Sequence, residues 1–198
     1  MAGTVWIDGR WIEMRVIAGE FKGRRLAPPK WDGLRPTSDK LRETLFNIVA
    51  SRVPGARVLD GYAGTGAIGI EALSRGAAHV TFVDCDARAL ELIDRNLKLC
   101  GVSDRYAIIR GRLGGKPPLP APAAFDLAVL DPPYDDPDLL AAVAAAEPFI
   151  APGGLLVLEH ARRRPAPDSA GALPRIRDVR SGDSALAFYS SASWAKTA

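Results

Sequence analysis

The chain is predicted to be an α/β protein with a parallel, doubly wound sheet closed by an antiparallel C-terminal pair. Three features of the sequence carry this. Short apolar runs alternate with segments of helical period along most of the 198 residues. The first such run, 56–59, passes directly into a glycine-rich turn and then a helix over 67–74. Beyond the polar link Arg162-Arg163-Arg164-Pro165-Ala166-Pro167, two β-like runs flank Ser181-Gly182-Asp183, as in a hairpin.

Residues 1–13 read as an N-terminal extension; Asp8, Arg10 and Glu13 interrupt any apolar core that a secretory signal needs. Residues 14–36 read as a basic β-hairpin and loop. Arg15-Val16-Ile17-Ala18-Gly19 and Arg24-Arg25-Leu26-Ala27 supply the two arms, and Pro28-Pro29 to Pro36 the loop. The main domain spans 37–198. Thr37 or Ser38 caps a helix over 39–52 whose stripe is Leu41, Leu45, Ile48 and Val49, and Pro54-Gly55 stops it. After the organising strand come a strand over 78–83, a helix over 87–99 stopped by Gly101, and a strand over 106–109. Gly114 to Pro122 is too rich in Gly and Pro for a regular helix. A strand over 125–130, a helix over 138–147, a Pro152-Gly153-Gly154 turn and a strand over 155–158 follow. Strands over 175–179 and 186–189 form the closing hairpin.

At 47% apolar and 25% charged residues, the chain can bury one good core. It has no run of about 18 apolar residues to span a bilayer, so a cytoplasmic protein without a membrane partner is expected. Cys85 and Cys100 are too few for a disulfide framework or thiolate site, and His79 and His160 stand far apart, so no metal is expected. Net charge is only +3 with pI near 9.0, yet residues 15–42 hold eight basic against three acidic side chains. Arg15, Lys22, Arg24, Arg25, Arg35, Lys40 and Arg42 are therefore expected to track RNA phosphates. The alternative for such a charge run is a solvated face.

The glycine turn poses a choice of ligand. Gly64-x-Gly66-x-x-Gly69, with Asp84 twenty residues after Gly64, matches the dinucleotide fingerprint of dehydrogenases. Asp60 argues against it, because a carboxylate about 5 Å from a phosphate costs on the order of 3 kcal/mol at an effective dielectric near 20. S-adenosylmethionine has no phosphate; its ribose suits Asp84, and its sulfonium and ammonium suit a nearby Asp60. Asp60 as a helix or turn cap is the other reading.

A second motif decides between them. Asp131-Pro132-Pro133-Tyr134 ends the 125–130 strand, at the carboxyl edge where open parallel sheets bind ligands. The Asp131 carboxylate and the Pro132 carbonyl can accept the two hydrogens of an exocyclic amine and turn its lone pair toward a methyl donor. Pro132 and Pro133 stiffen the loop. Tyr134 offers a flat face for a base, and its hydroxyl is expected to matter little. Without the glycine motif, Asp-Pro-Pro reads equally as a turn after a strand.

The order Asp60-x-x-Ala63-Gly64-Thr65-Gly66, Val83-Asp84-x-Asp86 and Asp131-Pro132-Pro133-Tyr134 resembles the class I S-adenosylmethionine-dependent methyltransferases that modify exocyclic amino groups. Arg15-Val16-Ile17-Ala18-Gly19, Gly23-Arg24-x-Leu26 and Leu34-Arg35-Pro36-Thr37-x-Asp39-x-x-Arg42-Glu43-x-Leu45-Phe46-Asn47 are similar to the bacterial family that methylates the 2-amino group of a guanine in 16S ribosomal RNA. The resemblance implies a Rossmann-like sheet of about seven strands, with S-adenosylhomocysteine as product. It also implies a 16S ribosomal RNA or small-subunit precursor as partner, and cofactor contacts from Asp60, Tyr62, Ala63, Gly64, Thr65, Gly66, Asp84, Cys85, Arg112 and Leu113. A monomer is expected. Gly111-Arg112-Leu113 departs from the pattern, since relatives often carry Asp or Asn near 112 for the adenine amino group. Adenine 6-amino methylation of DNA or RNA, and a non-catalytic RNA-binding module, are the competing functions.

Overall fold

The computed structural model describes residues 4–7, 10–31, 37–113, 119 and 124–191, with the backbone alone for 4–13. Arg35 and the rest of 32–36 lie outside the described residues, as does most of the Pro-rich stretch after Leu113.

The strands are β1 (Thr4–Ile7), β2 (Arg10–Glu13), β3 (Arg57–Gly61), β4 (His79–Asp84), β5 (Tyr106–Arg110), β6 (Phe125–Leu130), β7 (Ile150–Ala161), β8 (Ser169–Ala170), β9 (Leu173–Ser181) and β10 (Ser184–Tyr189). The helices are α1 (Asp39–Ile48), α2 (Ala67–Ser74), α3 (Ala87–Leu99) and α4 (Leu139–Ala146). β1 pairs only with β2; the main sheet has the order β5-β4-β3-β6-β7-β10-β9-β8. From β5 through β7 the pairs are parallel, and β10, β9 and β8 close the sheet antiparallel. The chain leaves β3 toward β4 on one side and returns to β6 on the other, so the ends of β3, β4 and β6 flank a switch point.

Both faces of the sheet are covered. Val58 packs with α1, α2 and α3, whereas its neighbour Leu59 packs with α4, as the two-residue period of a strand requires. Gly69 on α2 has no room for a side chain, since a Cβ there would lie 2.2 Å from the Phe82 ring. At the end of α3, Gly101 adopts φ 66°. Val102 N–H reaches Leu97 O, and Gly101 N–H reaches Lys98 O, a Schellman stop of the kind the glycine predicted.

The structure corrects several expectations. The main sheet has eight strands instead of seven, because two residues, Ser169 and Ala170, add an edge to β9. β7 begins at Ile150, and the Pro152-Gly153-Gly154 segment is absorbed at a register shift instead of ending the strand. α1 stops at Ile48 and passes into a 3-10 turn, Ala50–Arg52. The hairpin read at 15–27 has a single bridge, Arg15 to Arg25, and folds over α2. There Ile17 and Ala18 N–H donate to Glu71, Glu20 N–H to Ser74 O, and Phe21 N–H to Ser74 Oγ. Gly19 is pressed onto the Ser74 carbonyl, which an added Cβ would meet at 1.9 Å. Met14, Val16, Phe21 and Leu26 enter the main core, which explains why every residue of α2 is buried.

Among the described residues no helix is long and apolar enough to cross a membrane. None of them form a group of three or more His, Cys, Asp or Glu placed to hold a metal ion.

Candidate active site

The ends of β3, β4 and β6 bring the two motifs to one edge of the sheet. Asp131 N–H donates to Gly61 O at 3.3 Å, so the start of the Asp-Pro-Pro-Tyr loop is tied to the strand that enters the glycine turn.

On the cofactor side the geometry is made largely by backbone. Gly64 and Gly66 take φ of 53° and 76°, and Gly66 N–H closes onto Ala63 O at 2.7 Å. Tyr62 also sits at φ 63°, a conformation that costs a non-glycine residue of order 1–3 kcal/mol and is characteristic of functional sites. Asp84 accepts Gly64 N–H at 2.8 Å on one oxygen and Asp86 N–H at 2.9 Å on the other, and so holds the turn in shape. A narrow cleft lies beside it, lined by Tyr62, Val83, Asp84, Cys85, Gly111, Arg112 and Leu113. Five of the ten expected cofactor contacts, Tyr62, Asp84, Cys85, Arg112 and Leu113, thus line one slot. Ala63 and Thr65 are buried within the turn itself. A broader groove at the opposite edge of the sheet, lined by Arg52, Pro54, Asp126 and Gly153, contains no motif residue.

Two cofactor-side residues stand differently from expectation. Asp60 is fully buried and accepts Gly69 N–H at 2.8 Å, filling the capping role that Gly66 lacks a side chain to play for α2. Burial, and then the neighbouring Asp131 and Asp84 charges, push its carboxyl well above the usual range, against the pull of the Gly69 hydrogen bond. An open carboxylate facing a sulfonium is not what this geometry presents; the cap reading is. Arg112 is exposed and forms an ion pair with Asp138 at 3.1 Å, a partner outside both motifs.

The Asp-Pro-Pro-Tyr side is built from side chains. Thr37 Oγ1 donates to Asp131 Oδ2. Ser38, not Thr37, caps α1 by accepting Leu41 N–H, which leaves Thr37 for Asp131. The Tyr134 hydroxyl lies 3.2 Å from Glu159 Oε1 and 2.6 Å from Ser184 Oγ. Its ring is therefore held by the hydroxyl, contrary to the expectation that the hydroxyl is incidental. Arg164 donates to the Tyr134 carbonyl at 2.9 Å. Thr37, Glu159 and Ser184 were missed as site residues, and only the N-capping preference drew attention to one of them.

The basic residues divide into two groups. Lys22, Arg25 and Lys40 are exposed, and Arg15 is exposed beside Asp39. Arg24 lays its guanidinium over Phe21 and donates to the Cys100 carbonyl. Arg42 does not belong to the surface at all. It is 1% exposed and donates to Arg15 O and Asp39, and burial pulls its pKa down. Asn96 ties the same N-terminal segment to the cofactor side: it accepts Ala27 N–H and donates to Ala27 O and Thr65 O.

Comparison with known proteins agrees with this architecture. The family model described as conserved hypothetical protein 95 matches residues 14–190. YlbH of Bacillus subtilis, named as a candidate rRNA methyltransferase, is 36% identical over 182 residues, covering 89% of this chain and 98% of that protein. Ribosomal RNA small subunit methyltransferase D of Haemophilus influenzae is 39% identical over 125 residues, 62% of this chain and 64% of its own length. Among solved structures, the Escherichia coli protein yhhF, described as a candidate methyltransferase, superposes with TM-score 0.75 at 30% identity, over 89% of this chain and 96% of that one.

Proposed function

Because the chain belongs to the conserved hypothetical protein 95 family, we propose that it is a methyltransferase that modifies the exocyclic 2-amino group of a guanine in 16S ribosomal RNA. The observation that carries this reading is the meeting, at one sheet edge, of the Asp84-braced glycine turn and the Asp131-Pro132-Pro133-Tyr134 loop.

The residues present fit S-adenosylmethionine. The slot beside Asp84 is lined by Tyr62, Val83 and Leu113, apolar surface against which a base would lie, and Asp84 stands at its edge for ribose hydroxyls. When bound, S-adenosylmethionine supplies an electrophilic methyl group carried on sulfonium.

The chain's own contribution is orientation and removal of a proton. A guanine amine is a poor nucleophile because its lone pair is drawn into the ring. Asp131, steadied by Thr37, and the Pro132 carbonyl accept its two hydrogens and favour a pyramidal nitrogen. A base paired or stacked in RNA cannot present its amine at that angle, so it must be flipped into the crevice, where the Tyr134 ring offers a stacking face. The amine proton becomes acidic as the new N–C bond forms and leaves to Asp131 or water. Exposed Lys22, Arg25, Lys40 and Arg15 supply the phosphate contacts. Arg35 belongs to the same proposal from sequence alone.

Tritium transfer from labelled S-adenosylmethionine to bare ribosomal RNA, small ribosomal subunits and DNA, compared side by side with the product nucleoside identified, tests the proposal. N2-methylguanosine in RNA is the expected product. N6-methyladenine would move the chain to the competing reaction, and binding without transfer would make it a non-catalytic module.

A further inference from the structure

Glu159 is the buried acid that the reaction as described does not use. It sits near the end of β7, paired across to Leu186 of β10, and is 5% exposed. Its Oε1 accepts the Tyr134 hydroxyl, which also meets Ser184 Oγ. Its Oε2 is buried and meets no hydrogen-bond donor among the described residues. The Asp131 carboxylate is a near neighbour whose charge acts on Glu159. Two carboxylates cannot share a buried site while both are charged, and an oxygen with no donor to meet it is satisfied by carrying the proton itself.

We propose that Glu159 is a positioning residue for the amine-methylation site, fixing the Tyr134 ring through its hydroxyl and sharing one proton with Asp131 so that the pair presents a single negative charge to the substrate. The inference rests on the function proposed above. Burial, then the Asp131 charge and the Asp131 hydrogen bond, raise the Glu159 carboxyl to about 9, against the opposing Ser184 and Tyr134 hydrogen bonds. Around neutral pH, Glu159 is thus the protonated partner. The groups facing it are Asp131 and Tyr134 from the loop after β6 and Ser184 from β10. Thr37 and the buried Asp60 lie beyond Asp131, and Arg164 holds the Tyr134 carbonyl. During turnover the proton that leaves the substrate nitrogen passes to Asp131. The pair then holds two protons until one goes to water.

Single-turnover methyl transfer to ribosomal RNA, followed from pH 6 to 10, reads this arrangement in the wild type, Glu159→Gln and Glu159→Ala. The wild-type rate should fall as pH rises through about 9, where Glu159 ionises beside Asp131. Glu159→Gln keeps a donor toward Asp131 and an acceptor for Tyr134, so it should stay within about threefold of wild type at pH 7 and lose that fall. Glu159→Ala should lose roughly tenfold or more at every pH, the scale of a hydrogen bond to a charged group. A fall shared equally by wild type and Glu159→Gln would assign it to the guanine itself and overturn the proposal, as would an Ala variant equal to wild type. A second readout needs no activity. The infrared band of a protonated carboxyl should be present at pH 7 in the wild type and weaker in Glu159→Gln; identical spectra would overturn the shared proton. Were the wild type inactive on RNA while this difference band persisted, the proposed function would fail and the paired carboxyls would stand.

Discussion

The two halves of the crevice are constructed in opposite ways. On the cofactor side, Asp84 reaches back to a main-chain N–H of the glycine turn and Asp60 forward to one of the helix after it, and the residues joined lie 20 and 9 positions apart. On the substrate side, side chains bond to side chains across 94 positions for Thr37 and Asp131, and 50 for Tyr134 and Ser184. A site made by a short stretch of backbone survives as a motif of spacing. A site made by side-chain contacts between distant parts of the chain exists only once the fold brings them together.

Substitutions on each side, and beyond both, put this contrast to the test. The largest effect is expected for Asp131→Ala, about 100-fold or more in single-turnover rate, with affinity for S-adenosylmethionine nearly unchanged. Rates near wild type would take Asp131 out of the reaction. Asp84→Ala should weaken cofactor binding by about 1–3 kcal/mol in calorimetry, because it leaves Gly64 N–H unpaired and removes the ribose partner proposed above. Affinity equal to wild type would mean that the turn holds its shape without the carboxylate.

Tyr134→Phe keeps the ring but strips both hydroxyl contacts, and should cost about tenfold in activity, chiefly through RNA affinity. A wild-type Phe variant would return the hydroxyl to the incidental role expected from sequence. A smaller change is expected from neutralising Lys22 and Arg25 together, which should reduce the salt slope of RNA binding by roughly one to two while cofactor affinity holds. Arg24 is a poor choice for this test, since its guanidinium packs on Phe21 and bonds to Cys100. An unchanged slope would mark the surface as merely solvated. Removing residues 1–13 should change least: β1 and β2 pair only with each other, so melting temperature and transfer rate should match the full chain. A lower rate with intact folding would show that the extension contributes to the substrate.

What could be read in advance follows the same division. The alternation of strands and helices, the glycine turn, Asp84 and the Asp-Pro-Pro-Tyr loop were legible because each is a local pattern with a backbone cause. Asp60 was legible as important but not in its orientation, since a strand-end carboxylate can face either the ligand or the next helix. Arg42 was miscounted as a surface charge because a single apolar stripe on α1 did not reveal that the N-terminal segment lies across it. Glu159 and Ser184 carried no signal at all. They meet Tyr134 because β7 and β10 are antiparallel neighbours, a pairing that a list of predicted strands does not specify.

Asn96 has a consequence for how the molecule comes apart. Its amide grips Ala27 on the basic segment and Thr65 in the glycine turn at the same time, with no water-facing side. Peeling either one away strands a buried amide, so the segment and the turn belong to one cooperative opening unit. A destabilised variant would therefore lose its grip on RNA and on the methyl donor in the same event, instead of failing at one and keeping the other.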